Sequence, residues 1–400
     1  MSDSVWILGA SMTKFGRYTD KDVIDLGAEA AMAALDDAHV AIQDMDVLAA
    51  GCLAEASAGV GQRLQKQIGQ TGIPVFNVAN ACATGATAVR AAYLSIKAGE
   101  ADFGLAVGLE QMGKQGLLGA GGRARSDKKV YEPRGRYDAV MGTEGILGTN
   151  LMPGVFAQAG MEYAYENDGV GFEQFAKVAE KNHAHSTLNP LAQYQKAFSL
   201  EEIMGAEMIG YPNTLLMCCP TGDGAAAVVL VSDETLKSLD PDQRRRAVKI
   251  SASVLTSDPW AERGQVQPDV NTLTRLAADK AYEAAGVDPQ DLDLVELHDC
   301  FATAELLHYD NLRLCEPGGA GDFIDSGGPR RDGRIPVNVS GGLLSKGHPL
   351  GATGVANLFE VTTHLRGEAG DRQIEGATVG LTHVIGLGSA CAVHILEKAS

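Results

Sequence analysis

The chain predicts an α/β fold of five layers, αβαβα, made from two duplicated βαβ-based halves with an insertion in the first. Three observations predict it. Cys82-Ala-Thr-Gly85-Ala86-Thr87 and His348-Pro-Leu-Gly351-Ala352-Thr353 lie 266 positions apart and are built alike. Each follows a short β-branched run and opens a segment of small apolar residues that stops at Gly99 or Gly367, which reads as strand, tight turn and helix, twice. Ala38-His-Val40 through Asp46-Val47 matches Ala285-Gly-Val287 through Asp293-Leu294 at an offset of 247, each passage ending an alanine-rich helix and entering a strand. Strand-like runs also alternate with helix-like ones in both halves, predicting βαβ units and mixed, mostly parallel sheets.

In order along the chain, the N-terminal half takes residues 1–111 and 211–240. Leu26, Ala30, Ala33 and Ala34 recur at helical steps, Val75-Phe-Asn-Val78 reads as a strand, and Phe103-Gly-Leu-Ala-Val-Gly follows the first central helix. Residues 112–210 break the rhythm with a Gly- and Arg-rich loop and helix-like stretches such as Phe172 to Lys181, and form the insertion domain. Asp223-Gly-Ala-Ala-Ala-Val-Val-Leu-Val resumes the half as a buried strand. The C-terminal half, 241–400, repeats the plan with Leu276, Ala277, Ala281 and Ala284 on a helix, Ile335-Pro-Val-Asn-Val339 as a strand, and Ala377-Thr-Val-Gly-Leu-Thr after the second central helix. Because the offset grows from 247 to 266, this half holds 19 extra residues, placed in the Gly/Pro/Asp-rich stretch Cys315–Gly333.

A chain of 400 residues, 45% hydrophobic and 21% charged, can bury a large core. Its formal charge of -18 argues against a general nucleic-acid or membrane-surface binder, which needs a basic field. Seven cysteines without CxxC pairs or metal-ligand spacing argue against a disulfide scaffold and a metal site. The N-terminus lacks the features of a signal peptide and no run approaches 18 apolar residues, so a soluble cytoplasmic protein is expected.

Cys82 stands where a helix N-terminus would favour thiolate and offer an amide to an oxyanion; alone, such a cysteine more often packs as a small hydrophobe. His348, in Ser345-Lys-Gly-His-Pro-Leu-Gly, could take the Cys82 proton, with Pro349 at the first helical position. His298 and Cys300 end a strand in Val295-Glu-Leu-His-Asp-Cys-Phe301, on one face and at a crevice. The turn at Gly386 and Gly388 could present amides to an oxyanion. The basic cluster Lys114, Arg123, Arg125, Lys128, Lys129, Arg134 and Arg136 is the candidate for a phosphate-bearing ligand.

Together these stretches resemble the thiolase superfamily, in its sterol-carrier-protein-type branch. Asn80-Ala-Cys82-Ala-Thr-Gly is similar to the nucleophile motif, His298-Asp-Cys-Phe301 to the HDCF box, and Gly347-His348-Pro349 to the GHP box; Met217-Cys-Cys-Pro-Thr-Gly-Asp-Gly-Ala-Ala-Ala also resembles this branch. Where classical thiolases carry a second cysteine in CxG, this chain has Val384-Ile-Gly386, and the branch moves that thiol into HDCF. The resemblance implies a CoA-dependent acyltransferase that cleaves 3-ketoacyl-CoA or condenses acyl-CoA with acetyl-CoA. In it Cys82 is the nucleophile, His348 its base, His298 the binder of the thioester oxygen and Cys300 the second acid/base. Ser345, Gly386, Gly388, Arg123 and Arg125 are then the expected substrate- and CoA-binding positions. No permanently bound cofactor is implied, CoA and acyl-CoA being substrates. A homodimer or dimer of dimers is implied, and the family also admits a small zinc-ribbon/OB-fold partner protein. Two other readings stay open: a thiolase-like retro-aldol lyase on CoA esters, which would not need the cysteine, and a non-catalytic acyl-CoA-binding subunit.

Overall fold

Both duplicated passages fold alike. The computed structural model describes residues 4–113, 151–259, 270–387 and 389–399. Its strands are β1 (Val5–Met12), β2 (Val47–Gly51), β3 (Val75–Val78), β4 (Phe103–Gln111), β5 (Met208–Gly210), β6 (Asn213–Thr214), β7 (Asp223–Ser232), β8 (Val248–Thr256), β9 (Leu294–Glu296), β10 (Val379–Gly386) and β11 (Ala390–Lys398). Its helices are α1 (Val23–Ala38), α2 (Val60–Ile68), α3 (Thr84–Lys97), α4 (Leu151–Glu166), α5 (Phe172–Ser186), α6 (Leu200–Met204), α7 (Asp233–Ser238), α8 (Pro241–Arg246), α9 (Val270–Ala285), α10 (Ala302–Asn311), α11 (Ala320–Asp325), α12 (Gly342–Ser345) and α13 (Leu350–Arg366).

Asp22 caps α1 by accepting from the amides of Ile24 and Asp25, and the helix buries Leu26, Ala30 and Ala34. Its counterpart α9 buries Leu273, Ala277 and Ala281. Each leads through a short 3₁₀ turn, 42–44 or 289–291, into β2 or β9. Strand order runs β3-β2-β4-β7-β1-β8-β11-β10-β9, with the second half repeating the first in mirror order about the β1–β8 contact.

Two expectations are corrected. The sheet is mixed, but antiparallel pairing predominates: only β2–β3, β2–β4 and β9–β10 run parallel. The last strand of each half reverses, β7 returning beside β4 after the insertion and β11 turning back on β10 through a short turn. The strand expected at Ile335–Val339 is a single bridge from Val337 to Val295, because Pro336 has no N–H and Asn338 turns to φ 53.

Three core clusters define the layers. One packs α1 and α2 on the first half's strands (Leu26, Leu64, Leu105, Val229), and one surrounds α3 and α13 (Ala88, Val355, Leu358, Ala106, Leu294). The third packs α9 and α10 on the second half's strands (Leu273, Leu306, Leu381, Val393) and also takes Phe156 and Phe175 from α4 and α5. The layers are therefore α1/α2, the first half of the nine-stranded sheet, α3/α13, its second half, and α9/α10. The central helices approach backbone to backbone: a Cβ at Gly85 would lie 2.5 Å from the Gly351 carbonyl oxygen, which explains the small residues of the repeat. Among the described residues no helix is long and apolar enough to cross a membrane.

Candidate active site

The nucleophile turn is tightly built. The Asn80 amide donates to Thr84 Oγ1 at 2.8 Å, the Thr84 hydroxyl donates to the Ala81 carbonyl at 2.6 Å, and Ala81 sits at φ 47, a left-handed conformation costing roughly 1 kcal/mol or more. Cys82 thereby stands one residue ahead of Ala83, the N-cap of α3. In the other half His348 stands one residue ahead of Pro349, which is the N-cap of α13 and not its first helical residue as expected.

These helix starts converge. The Cys82 sulfur and a ring nitrogen from each of His298 and His348 all lie within 4.8 Å of one another, and the two rings meet edge to face at 5.2 Å. Among the described residues no other three His, Cys, Asp or Glu donors come so close. His348 Nδ1 lies 2.7 Å from Thr353 Oγ1, whose own hydroxyl donates to the Pro349 carbonyl at 3.0 Å. Thr353 must then accept from His348, which assigns the proton to Nδ1 and leaves a lone pair on the buried, unpartnered Nε2.

Electrostatics correct the expectation of a resting thiolate. Cys82 keeps some exposed surface, yet its sulfur is packed round by protein; burial, then the nearby Glu110 carboxylate, push the thiol up to about 12 against the pull of the Cys82 and Leu387 amides. Burial likewise holds His298 down at about 3, and burial with His298 and Lys346 nearby holds His348 well below its usual value. The resting pair is neutral thiol and neutral imidazole.

Cys300 is buried beside this cluster but outside it; the Cys219 amide donates to its carbonyl at 3.0 Å, and burial pushes its thiol far up. Ser345 is fully buried, its hydroxyl spent on Ser186 at 2.7 Å and the Tyr194 carbonyl at 3.2 Å, with His183 at 3.1 Å, so it braces the loop before His348 and has no hydroxyl left for a substrate. Gly386 abuts the nucleophile turn: a Cβ there would meet the Asn80 carbonyl oxygen at 2.3 Å. Gly388, Arg123, Arg125 and the rest of the basic cluster lie outside the described residues.

Leu387, whose amide acts on the Cys82 sulfur, lies in the turn at Gly386 already expected to present amides. Three participants escaped sequence reasoning. Thr353 had a signal, since Thr87 matches it in the repeat. Glu110 and Phe156 had none: Glu110 reaches in from β4 to accept from Leu53, Ala54 and Gly351, and Phe156 of α4 lies 6.4 Å from His298 and stacks on Phe301 at 5.4 Å.

Comparison with known proteins adds the following. Residues 5–197 match the family described as "Thiolase, N-terminal domain" and residues 263–398 the family "Thiolase C-terminal domain-like". Sterol carrier protein 2 of Homo sapiens is 39% identical over 399 residues, covering 98% of this chain and 72% of that protein. An acetyl-CoA acetyltransferase of Methanothermobacter thermautotrophicus is 35% identical over 408 residues, covering 98% and 99%. Among solved structures, an Ltp2-ChsH2(DUF35) aldolase superposes with TM-score 0.80 at 23% identity, over 99% of this chain and 98% of that one. Human mitochondrial 3-ketoacyl-CoA thiolase in complex with CoA does so with TM-score 0.71 at 18% identity, over 99% and 98%. Both structural likenesses show the shared fold.

Proposed function

We propose, on the premise that this chain belongs to the thiolase family of CoA-ester acyltransferases, that it cleaves 3-ketoacyl-CoA or condenses acyl-CoA with acetyl-CoA through an acyl-Cys82 intermediate. The observation that carries this is the convergence of the Cys82 sulfur with nitrogens of His298 and His348 within 4.8 Å. With thiol and imidazole both neutral, His348 Nε2 takes the thiol proton as sulfur attacks the acyl carbonyl carbon. The backbone N–H groups of Cys82 and Leu387, which converge on the sulfur, stabilise charge formed there. In cleavage the C2–C3 bond breaks and Cys300 protonates the leaving acetyl-CoA carbanion, while His298 holds its thioester oxygen. Free CoA then takes the acyl group from Cys82 as a thioester. Condensation runs these steps in reverse, with Cys300 removing the proton from acetyl-CoA.

The basic cluster at Lys114–Arg136, with Arg123 and Arg125 at its centre, is proposed to meet the CoA phosphates, which an acidic chain must bind through a local basic patch. Gly386 and Gly388 are proposed as further substrate-binding positions. The chain's division into residues 1–111 with 211–240, 112–210 and 241–400 is retained as the domain proposal. A homodimer or dimer of dimers is proposed, and a zinc-ribbon/OB-fold partner is kept as a second class of assembly because the similar Ltp2 structure pairs Ltp2 with a DUF35 protein. All seven cysteines are free, which supports a reducing, cytoplasmic setting.

Mass spectrometry of Cys82 after incubation with a panel of acyl- and 3-ketoacyl-CoAs tests the reading. Acylation confined to Cys82, and lost in Cys82→Ala, is expected; full acyltransfer by Cys82→Ala would refute it. A retro-aldol lyase is the second reading, prompted by the fold shared with the Ltp2 aldolase. It would release an aldehyde or ketone without consuming free CoA, and without acylating Cys82.

A further inference from the structure

The strand end that carries His298 and Cys300 is fastened by the residue between them. Asp299 is fully buried, and burial with Glu305 nearby pushes its carboxyl well above the usual range; the carboxyl oxygens accept from the Leu343 amide at 2.7 Å, the Leu344 amide at 3.3 Å and the Asn182 side chain at 2.8 Å. Two of these donors belong to α12, whose last residue, Ser345, lies three positions ahead of His348. The third belongs to α5, which also contacts the Ser345 hydroxyl through His183 and Ser186. One carboxyl group therefore joins the HDCF segment to the turn that delivers His348, and α5 braces both.

The fit leaves no slack. Gly342 stands at φ 59, and a Cβ there would lie 2.1 Å from Asp299 Oδ2. Asn182 is itself held, donating to Glu305 at 2.6 Å, while Lys181 pairs with Glu305 at 2.7 Å and donates to the Val337 carbonyl at 2.6 Å. Buried groups so fully hydrogen-bonded have one low-energy arrangement, and they pass it to the side chains they flank.

We infer that Asp299 is a positioning residue: by fastening the His298/Cys300 strand end to the α12 amides, it sets where both histidines stand around the Cys82 thiol. The inference rests on the acyl-Cys82 reading above. Asp299 itself touches no reacting atom.

Rapid-quench mass spectrometry of Cys82 with a reactive acyl-CoA gives two numbers, the fraction of sites acylated and the rate constant. Asp299→Asn keeps the side chain's shape but turns an amide NH₂ toward a donor. It is expected to acylate nearly as many sites as wild type, with a rate constant about tenfold or more lower and KM within about threefold. A lowered acylated fraction with an unchanged rate constant would mean a merely structural role and overturn the inference, as would wild-type behaviour. Asn182→Ser, which removes one donor and keeps Asp299, is expected to show a smaller loss in the same rate constant and decides the question if Asp299→Asn does not fold. Absence of Cys82 acylation in the wild-type protein is a different result, and overturns the proposed function.

Discussion

Thr353 does for His348 what burial does not: it sets the tautomer, by hydrogen bonding to Nδ1. Its hydroxyl has one proton, given to the Pro349 carbonyl, so toward His348 it can only accept. Thr353→Val removes that acceptor at nearly constant volume and frees the other tautomer. It is expected to lower kcat about tenfold to a hundredfold with little change in KM, read by steady-state kinetics. Cys82 is held as a thiol by burial first and Glu110 second, so its alkylation by iodoacetamide should rise about tenfold per pH unit from pH 7 to 10. A plateau beginning near pH 8 would instead show an ordinary or activated thiol. Cys82, His298 and His348 were legible because each sits in a short motif of its own. Leu387 was legible only as part of the turn at Gly386, since it contributes an amide, and Phe156 was not, since it comes from a distant segment.

At the scale of elements, the repeat is explained by the contact between α3 and α13. Gly85→Ala would push a methyl group to 2.5 Å from the Gly351 carbonyl oxygen, a backbone atom that cannot swing away. A loss of about 3 kcal/mol is expected by chemical denaturation, at the upper end for overpacking because helix must move against helix. The helices α1 and α9 were readable from their spacing of apolar residues, though the buried face differs from the one read: Leu26, Ala30, Ala34, Ala277 and Ala281 are buried, while Ala33 and Ala284 are exposed and Leu276 is half-buried. Strand direction was not, because alternating apolar runs carry no sign of which way the last strand of a half returns. The segment 335–339 looked like a strand by composition, yet Pro336 and Asn338 limit it to one bridge. The number of extra residues, 19, came from arithmetic on the two offsets and their placement from the Gly/Pro/Asp-rich composition of 315–333, a stretch that holds α11 with its flanking turns.

Over the whole molecule, the two halves are also tied at the surface. Asp37 at the end of α1 pairs with Arg246 at 2.6 Å and with Arg366, the last residue of α13, at 2.8 Å; Arg366 donates further to the Leu8 and Arg246 carbonyls. Burial alone would raise the Asp37 carboxyl, but Arg366 and then Arg246 outweigh it and hold it below the ordinary carboxylate value. Its stabilising contribution is therefore complete above about pH 4, the unfolded value, and is lost as pH falls through the lower folded one. Asp37→Asn is expected to cost about 1 to 2 kcal/mol at pH 7, a difference from wild type that shrinks below pH 4 in denaturant titrations. A deficit that stays constant down to pH 2 would sink this assignment.

The mirror order of the sheet has a mechanical consequence. The thiol belongs to one half and its proton acceptor to the other, and strand to strand those halves meet over only three residue pairs, Val5–Ile250, Trp6–Lys249 and Ile7–Val248. A shift of one half against the other along that seam would displace sulfur from nitrogen, where an error of about 1 Å is worth some hundredfold in rate. On the proposed mechanism, turnover should therefore register how stiffly the seam is clamped, by Asp37 at the rim and by the central helices within.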